Sequence, residues 1–252
     1  MLFDSHAHLL SLDNYKEIIN NMQTDGLAFI INASTTLEDS WEGLSLASSQ
    51  TNVYTIIGLY PEYAELWNDD YEKQFREMAT NQKVVGIGEI GLDYHGETFN
   101  REKQIEVFEK QIKIAYDNNL PICIHCRNAA KDMYDVLQKN KYIFKCGVLM
   151  HCYSEDMEYT QKFKELGCYF SFSGNITYKK ADTERVGFIG IDKLLIETDC
   201  PYLAPVPVRG TRNIPANVKY TAQKLADILQ MSQDKFLKKI ESNARGFFKK
   251  IK

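Results

Sequence analysis

Short apolar runs alternate with amphipathic stretches from one end of the chain to the other, and a chain that repeats strand and helix eight times has few folds open to it. The first run, Met1-Leu2-Phe3, ends in Asp4-Ser5-His6-Ala7-His8. A helix from Asp13 to Asp25 follows, closed by Gly26, a residue that tolerates the turn after a helix. The pattern then predicts strand Leu27 to Ala33, helix Leu37 to Ser48, strand Val53 to Leu59, helix Asp70 to Thr80 and strand Val84 to Glu89. Helix Arg101 to Asn118, with Ile105, Phe108, Ile112 and Ala115 on one face, precedes strand Pro121 to His125. Helix Ala129 to Gln138, strand Cys146 to His151, helix Asp156 to Leu166, strand Cys168 to Ser173, a short helix near Thr183 and strand Leu194 to Asp199 complete the count. Helices Asn217 to Leu229 and Ser232 to Lys249 end the chain, the last with Ser232 as its N-cap. Parallel strands joined by helices, eight of them, predict a (β/α)8 TIM barrel, an α/β fold, spanning 1–252 as a single unit. An open doubly wound sheet is the lesser alternative.

Composition narrows what such a barrel acts on. No run approaches the roughly 20 apolar residues that span a bilayer, and no basic segment leads into an apolar one at the start, so a cytoplasmic protein with no membrane partner is expected. Six scattered cysteines, several inside apolar runs, fit a reduced compartment. Cys123-Ile-His-Cys126 resembles half a zinc knuckle, but a second Cys-x-x-Cys is missing. The net charge of −4 gives no general pull on nucleic acid. A phosphate-rich substrate would have to be held by local basic groups or by metal.

In a barrel the active site lies at the C-terminal strand ends. His6 and His8 share a face of the first strand, about 6–7 Å of rise apart. Glu89 ends the fourth strand, His125 the fifth, His151 the sixth and Asp199 the eighth. All six are metal-ligand types, more than one tetrahedral ion needs, and a carboxylate such as Glu89 can bridge two ions. Gly86-Ile-Gly88-Glu89-Ile-Gly91 matches the dinucleotide fingerprint, yet no helix opens at its last glycine and Glu89 would repel a phosphate. Its glycines instead let the backbone bend past the carboxylate. Cys126 and Cys152 adjoin His125 and His151, but neighbours in a strand face opposite ways, which argues against a Cys–His nucleophile. Neither a Gly-x-Ser-x-Gly elbow nor a P-loop occurs.

Asp-Ser-His-Ala-His at the start, Gly88-Glu89-Ile90-Gly91-Leu92-Asp93-Tyr94, Pro121-Ile-Cys-Ile-His125-Cys-Arg127, His151-Cys152-Tyr153-Ser154, Glu197-Thr-Asp199-Cys-Pro201-Tyr-Leu-Ala-Pro205 and Arg209-Gly210…Arg212-Asn213…Pro215 together resemble the TatD family, from residue 4 to about 215. These are metal-dependent deoxyribonucleases of the amidohydrolase-type barrel superfamily. The resemblance implies a two-metal phosphodiesterase, a 3′-5′ exonuclease acting on single-stranded DNA or 3′ ends. It implies that His6, His8 and Asp199 hold one ion, His125 and His151 the other, with Glu89 bridging. Zinc, manganese and magnesium all remain open: imidazoles favour the first two, the family the third. Asp199 is the candidate general base, beside Glu89 as the second catalytic carboxylate. Glu197, on the same face and one layer deeper, is the candidate for orienting a ligand histidine. Arg127, Arg209 and Arg212 are candidate phosphate grips, and Tyr60, Tyr94 and Tyr202 candidate base-stacking surfaces.

Three departures stand out. Gly58-Leu59-Tyr60-Pro61 replaces the family's Gly-x-His-Pro, and a phenol cannot carry protons near neutral pH as imidazole does. Ser154-Glu155-Asp156 replaces a Ser-Gly pair, and Thr211 stands where another basic residue is usual. The competing readings are a small-molecule amidohydrolase or lactonase on the same barrel, and a catalytically weak metal-binding scaffold in nucleic-acid processing. Such amidohydrolases often bridge their metals through a carboxylated lysine, which Glu89 speaks against.

Overall fold

A computed structural model describes residues 1–96 and 98–251. Eight parallel strands lie side by side in chain order: β1 (Leu2–Ala7), β2 (Leu27–Ala33), β3 (Val53–Ile57), β4 (Val84–Asp93), β5 (Ile122–Arg127), β6 (Val148–Met150), β7 (Tyr169–Phe172) and β8 (Leu194–Ile196). The helices between them are α1 (Tyr15–Asn21), α2 (Leu37–Ser49), α3 (Asp69–Ala79), α4 (Arg101–Asp117), α5 (Ala130–Lys139), α6 (Met157–Leu166) and α7 (Glu184–Ile189), with α8 (Val218–Ile228) and α9 (Gln233–Phe247) after β8. The barrel closes between β1 and β8 through His8 N donating to Cys200 O at 2.9 Å and Asp199 N donating to His6 O at 3.0 Å, rather than through a regular ladder. The expected (β/α)8 barrel is therefore present, and the open sheet is not. No helix among the described residues is long and apolar enough to cross a membrane.

Local chemistry explains most element starts. Thr36, Asn68, Asn100 and Asp156 each accept backbone N–H bonds from the first turn of α2, α3, α4 and α6, satisfying donors the helix itself leaves orphaned. Ser232 is the N-cap of α9, as expected, with extended backbone, although its side chain makes no cap bond. The first helix is also shorter than its pattern, ending at Asn21 before a turn reaches Gly26 at φ 74°. Phe108, Ile112 and Ala115 of α4 are buried as anticipated, each large apolar side chain contributing roughly 1.5–3 kcal/mol.

Several strands end a residue or more from where the pattern puts them, and the ends of β4 and β8 matter most for the site. β4 runs on past Glu89 to Asp93, pairing Gly91 with His125, Leu92 with Cys126 and Asp93 with Arg127. Gly91 makes this possible: its φ is +141°, and a Cβ there would lie 2.0 Å from the His125 carbonyl oxygen. β8, by contrast, stops at Ile196, because side chains replace the ladder. Asp4 accepts from Thr198 N at 2.9 Å and Asn213 donates to Thr198 O at 3.0 Å, steering Glu197, Thr198 and Asp199 into a bend where Asp199 takes φ 55°.

Replacing Gly91 by Ala combines a forbidden backbone angle with a direct clash, so a loss of about 3 kcal/mol or more is expected. Thermal unfolding of the purified variant checks this; a melting temperature equal to the parent's would show that β4 and β5 do not need the close approach.

Candidate metal centre

At the C-terminal mouth of the barrel, side chains from β1, β4, β5, β6 and the bend after β8 converge on Glu89. His6 Nε2 lies 3.3 Å and His8 Nε2 3.6 Å from Glu89 Oε2, while His125 Nδ1 and His151 Nε2 lie 2.9 and 3.0 Å from Oε1. Asp199 Oδ1 is 3.4 Å from His8 Nε2 and 3.9 Å from His6 Nε2. Two compact sets result: His6, Glu89 and His151, and His6, His8 and Asp199, each offering donor atoms within 4.8 Å of one another. His6 belongs to both. His125 falls outside these sets although it touches Glu89, a difference from the simple division into two ligand groups.

The chemistry of this donor set fits a metal ion. His6 is fully buried, and neither of its ring nitrogens has a hydrogen-bond partner. Unpaired buried polar atoms cost about 1–3 kcal/mol each, and a cation taking a lone pair removes one such cost. Burial, reinforced by the neighbouring His151, holds His6 below the ordinary imidazole range, so it is neutral and able to ligate. Burial alone would raise the Glu89 carboxyl; the imidazoles around it, His151 foremost, outweigh burial and hold it well below the usual carboxylate range. His8 is pulled down by burial but pushed up to about 9 by Asp199 and Glu89, which marks a strongly negative surrounding field.

Second contacts orient the rings. His8 Nδ1 lies 3.1 Å from the Ala33 carbonyl, so it donates there and turns Nε2 toward Glu89 and Asp199. His151 Nδ1 lies 3.4 Å from Glu197 Oε1. Glu197, fully buried, also accepts from Cys152 N at 2.8 Å and Ser171 Oγ at 2.5 Å, which locks its carboxylate behind the histidine. Asp4 accepts from His6 N at 3.2 Å and from Thr198, joining the β1 ligands to the Asp199 bend; burial pushes its carboxyl up to about 8.

A cleft of about 780 Å³ opens over the centre, lined by His8, Glu89, His125, His151 and Asp199 below, with Tyr60, Tyr202 and Arg127 on its walls. The structure does not bring the other substrate-binding candidates into that lining. Tyr94 donates to Asp132 at 2.8 Å and stacks on Phe99. Arg209 lies over the Tyr178 ring, and Arg212 braces the loop after β1 through Asp13 and the Ser11 carbonyl. Cys126 and Cys152 do reach the cleft, but burial pushes both thiols well above their ordinary range, and neither bonds to a histidine.

Sequence reasoning missed Asp93, Asp4 and an acidic wall of Asp39, Glu42 and Glu62. Asp93 had a signal: at i+4 from Glu89 on one strand it must share Glu89's face. Ending the strand at Glu89 hid it. The acidic wall comes from α2 and the turn after β3, where the sequence shows only ordinary helix-surface charge.

The model of the family described as TatD related DNase matches residues 3–249. An uncharacterized metal-dependent hydrolase of Bacillus subtilis, YabD, is 34% identical, with 99% of each chain covered. An uncharacterized metal-dependent hydrolase of Escherichia coli, YcfH, is also 34% identical, over 93% of this chain and 94% of that protein. The solved structure of YjjV, a TatD homologue of Escherichia coli, superposes with a TM-score of 0.91 at 24% identity over 98% of each chain.

Glu197→Gln should weaken divalent-metal binding by roughly 10–100-fold, since an amide lacks both the negative charge that stands 3.4 Å from His151 Nδ1 and one of the two acceptor oxygens that Ser171 Oγ and Cys152 N use. Calorimetric titration with zinc or manganese reads this directly, and an unchanged isotherm would make Glu197 a core acid only.

Proposed function

The chain belongs to the TatD-related DNase family of metal-dependent hydrolases, and on that premise we propose that it is a phosphodiesterase that trims single-stranded DNA, or the 3′ ends of DNA, in a 3′-5′ direction. The observation that carries this reading is the six-residue donor set beneath an open cleft, with His6, Glu89 and His151 buried and neither ring nitrogen of His6 hydrogen-bonded. His6, His8 and Asp199 would hold one divalent ion and His125 and His151 a second, with Glu89 between them. Such ions supply Lewis-acid charge to a phosphoryl oxygen and lower the pKa of water at the centre.

The chain's own residues supply the rest. Asp199 Oδ1 stands beside His8 at the floor of the cleft, placed to accept the proton of an attacking water. Arg127, at the exposed end of β5, is the basic group on the cleft wall and would grip a phosphate bidentately. Tyr202, well exposed, and Tyr60 offer ring faces to a base. Asp39, Glu42 and Glu62 make the α2 side hostile to phosphates. A strand would thus be accepted from the Arg127 side and stopped at the acidic wall, as end-trimming requires.

Metal-stripped protein given labelled single-stranded DNA should shorten it stepwise once magnesium, manganese or zinc is restored. Glu89→Gln should abolish the ladder, and Asp199→Asn should lower kcat by at least about 10²-fold while leaving part of the metal bound. No cleavage with any ion, by protein that binds metal, would transfer the reading to a small-molecule hydrolase. Full activity of Asp199→Asn would remove Asp199 as the base.

A further inference from the structure

Tyr60 stands where the family pattern carries a histidine, and its contacts differ from those of a proton carrier. Its hydroxyl donates to Asp93 Oδ2 at 2.9 Å and lies 3.1 Å from His125 Nε2, the two rings 4.8 Å apart. His125 Nε2 is itself 2.9 Å from the same Asp93 oxygen. An ionised carboxylate only accepts hydrogen bonds, so both atoms facing Oδ2 must donate. His125 therefore donates to Asp93 through Nε2, and Nδ1, 2.9 Å from Glu89 Oε1, is the nitrogen turned toward the centre, where a bound cation would take its lone pair.

Asp93 cannot drift from this arrangement. Its other oxygen accepts from His95 N at 2.8 Å, and Gln104 clamps its backbone from both sides, accepting from Asp93 N and donating to Asp93 O at 2.9 Å each. Tyr60 is anchored in turn by its own N–H on the Thr35 carbonyl at 2.8 Å. A phenol in this place adds a donor to Asp93 without adding a second base that competes for the His125 proton.

We propose that Tyr60 and Asp93 are paired positioning residues that hold His125 as its Nε2–H tautomer with Nδ1 presented to the metal centre. The proposal rests on the reading of His125 as a metal ligand given above. In this chain the tyrosine therefore takes over a structural duty at the histidine's position, and proton transfer is left to Asp199.

Long-range proton–nitrogen NMR of the histidine side chains tests the tautomer in the unmodified protein, with and without zinc, His125 being identified by its loss in His125→Gln. A protonated Nε2 is expected in both states, and an unprotonated Nε2 overturns the proposal. Zinc titration then compares Asp93→Asn and Tyr60→Phe, with circular dichroism confirming each fold. Asp93→Asn should weaken zinc by about 10–100-fold and Tyr60→Phe by a smaller factor, with kcat reduced and both limbs of the pH profile in place. Unchanged zinc affinity with a displaced pH limb in Tyr60→Phe would assign the phenol to proton transfer and overturn positioning. Failure to cut DNA would sink the nuclease reading alone, because the tautomer and the zinc titration need no substrate.

Discussion

A single buried carboxylate governs the mouth of this barrel. Glu89 is 4% exposed, and removing a lone charge from water to that depth costs several kcal/mol. Four imidazoles from three strands surround it, and their number and closeness are what make the charged form tolerable. The same ring of nitrogens is more than a neutral core requires. Two nitrogens of His6 stay unpartnered, and acceptors face one another wherever an imidazole lone pair meets Glu89. Such a cluster calls for positive charge at its centre, which is the physical content of the family's metal dependence.

The backbone around Glu89 is shaped to bring these groups together. Gly91 lets β4 pass within contact of the His125 carbonyl, so that one strand presents Glu89 and Asp93 to opposite nitrogens of one histidine. Asp199 and Cys152, just past the ends of β8 and β6, adopt left-handed angles of 55° and 44°. Non-glycine residues held there carry about 1–3 kcal/mol of strain each, offset by the surrounding hydrogen bonds. For Asp199, Asp4, His6 and Thr198 supply those bonds across the seam between β1 and β8; for Cys152, Glu197 accepts its N–H at 2.8 Å. Closure of the barrel and placement of Asp199 are one event.

Charge around the cleft is uneven in a way that composition conceals. Asp39 and Glu42 line the cleft from α2, Glu62 from the turn after β3 and Arg127 from the end of β5, while Arg209 and Arg212 are engaged elsewhere with Tyr178 and Asp13. A net charge of −4 spread over the surface says nothing of this. What a phosphate chain meets depends on which loop each residue sits on, and how loops fold over the mouth.

Periodicity determined eight alternating strand–helix units, for which a closed barrel stood ahead of an open doubly wound sheet, and the strand-end rule put His6, His8, Glu89, His125, His151 and Asp199 at one end of it. Alternation also placed Glu197 on the face of Asp199 and one layer deeper, and the closed barrel sets it 3.4 Å from His151 Nδ1. Tertiary structure decided the rest, because it turns on approaches between residues far apart in the chain. The extension of β4 to Asp93 needs the contact between Gly91 and His125, and the end of β8 at Ile196 needs Asp4 and Asn213. Tyr94 and Arg212 looked like substrate groups from their motifs, yet Asp132 and the loop after β1 claim them. Tyr60 read as a lost histidine, and only its nearness to Asp93 and His125 shows a donor with work of its own. A local pattern sets which face a side chain takes; the distance to its partner is set by the closed barrel.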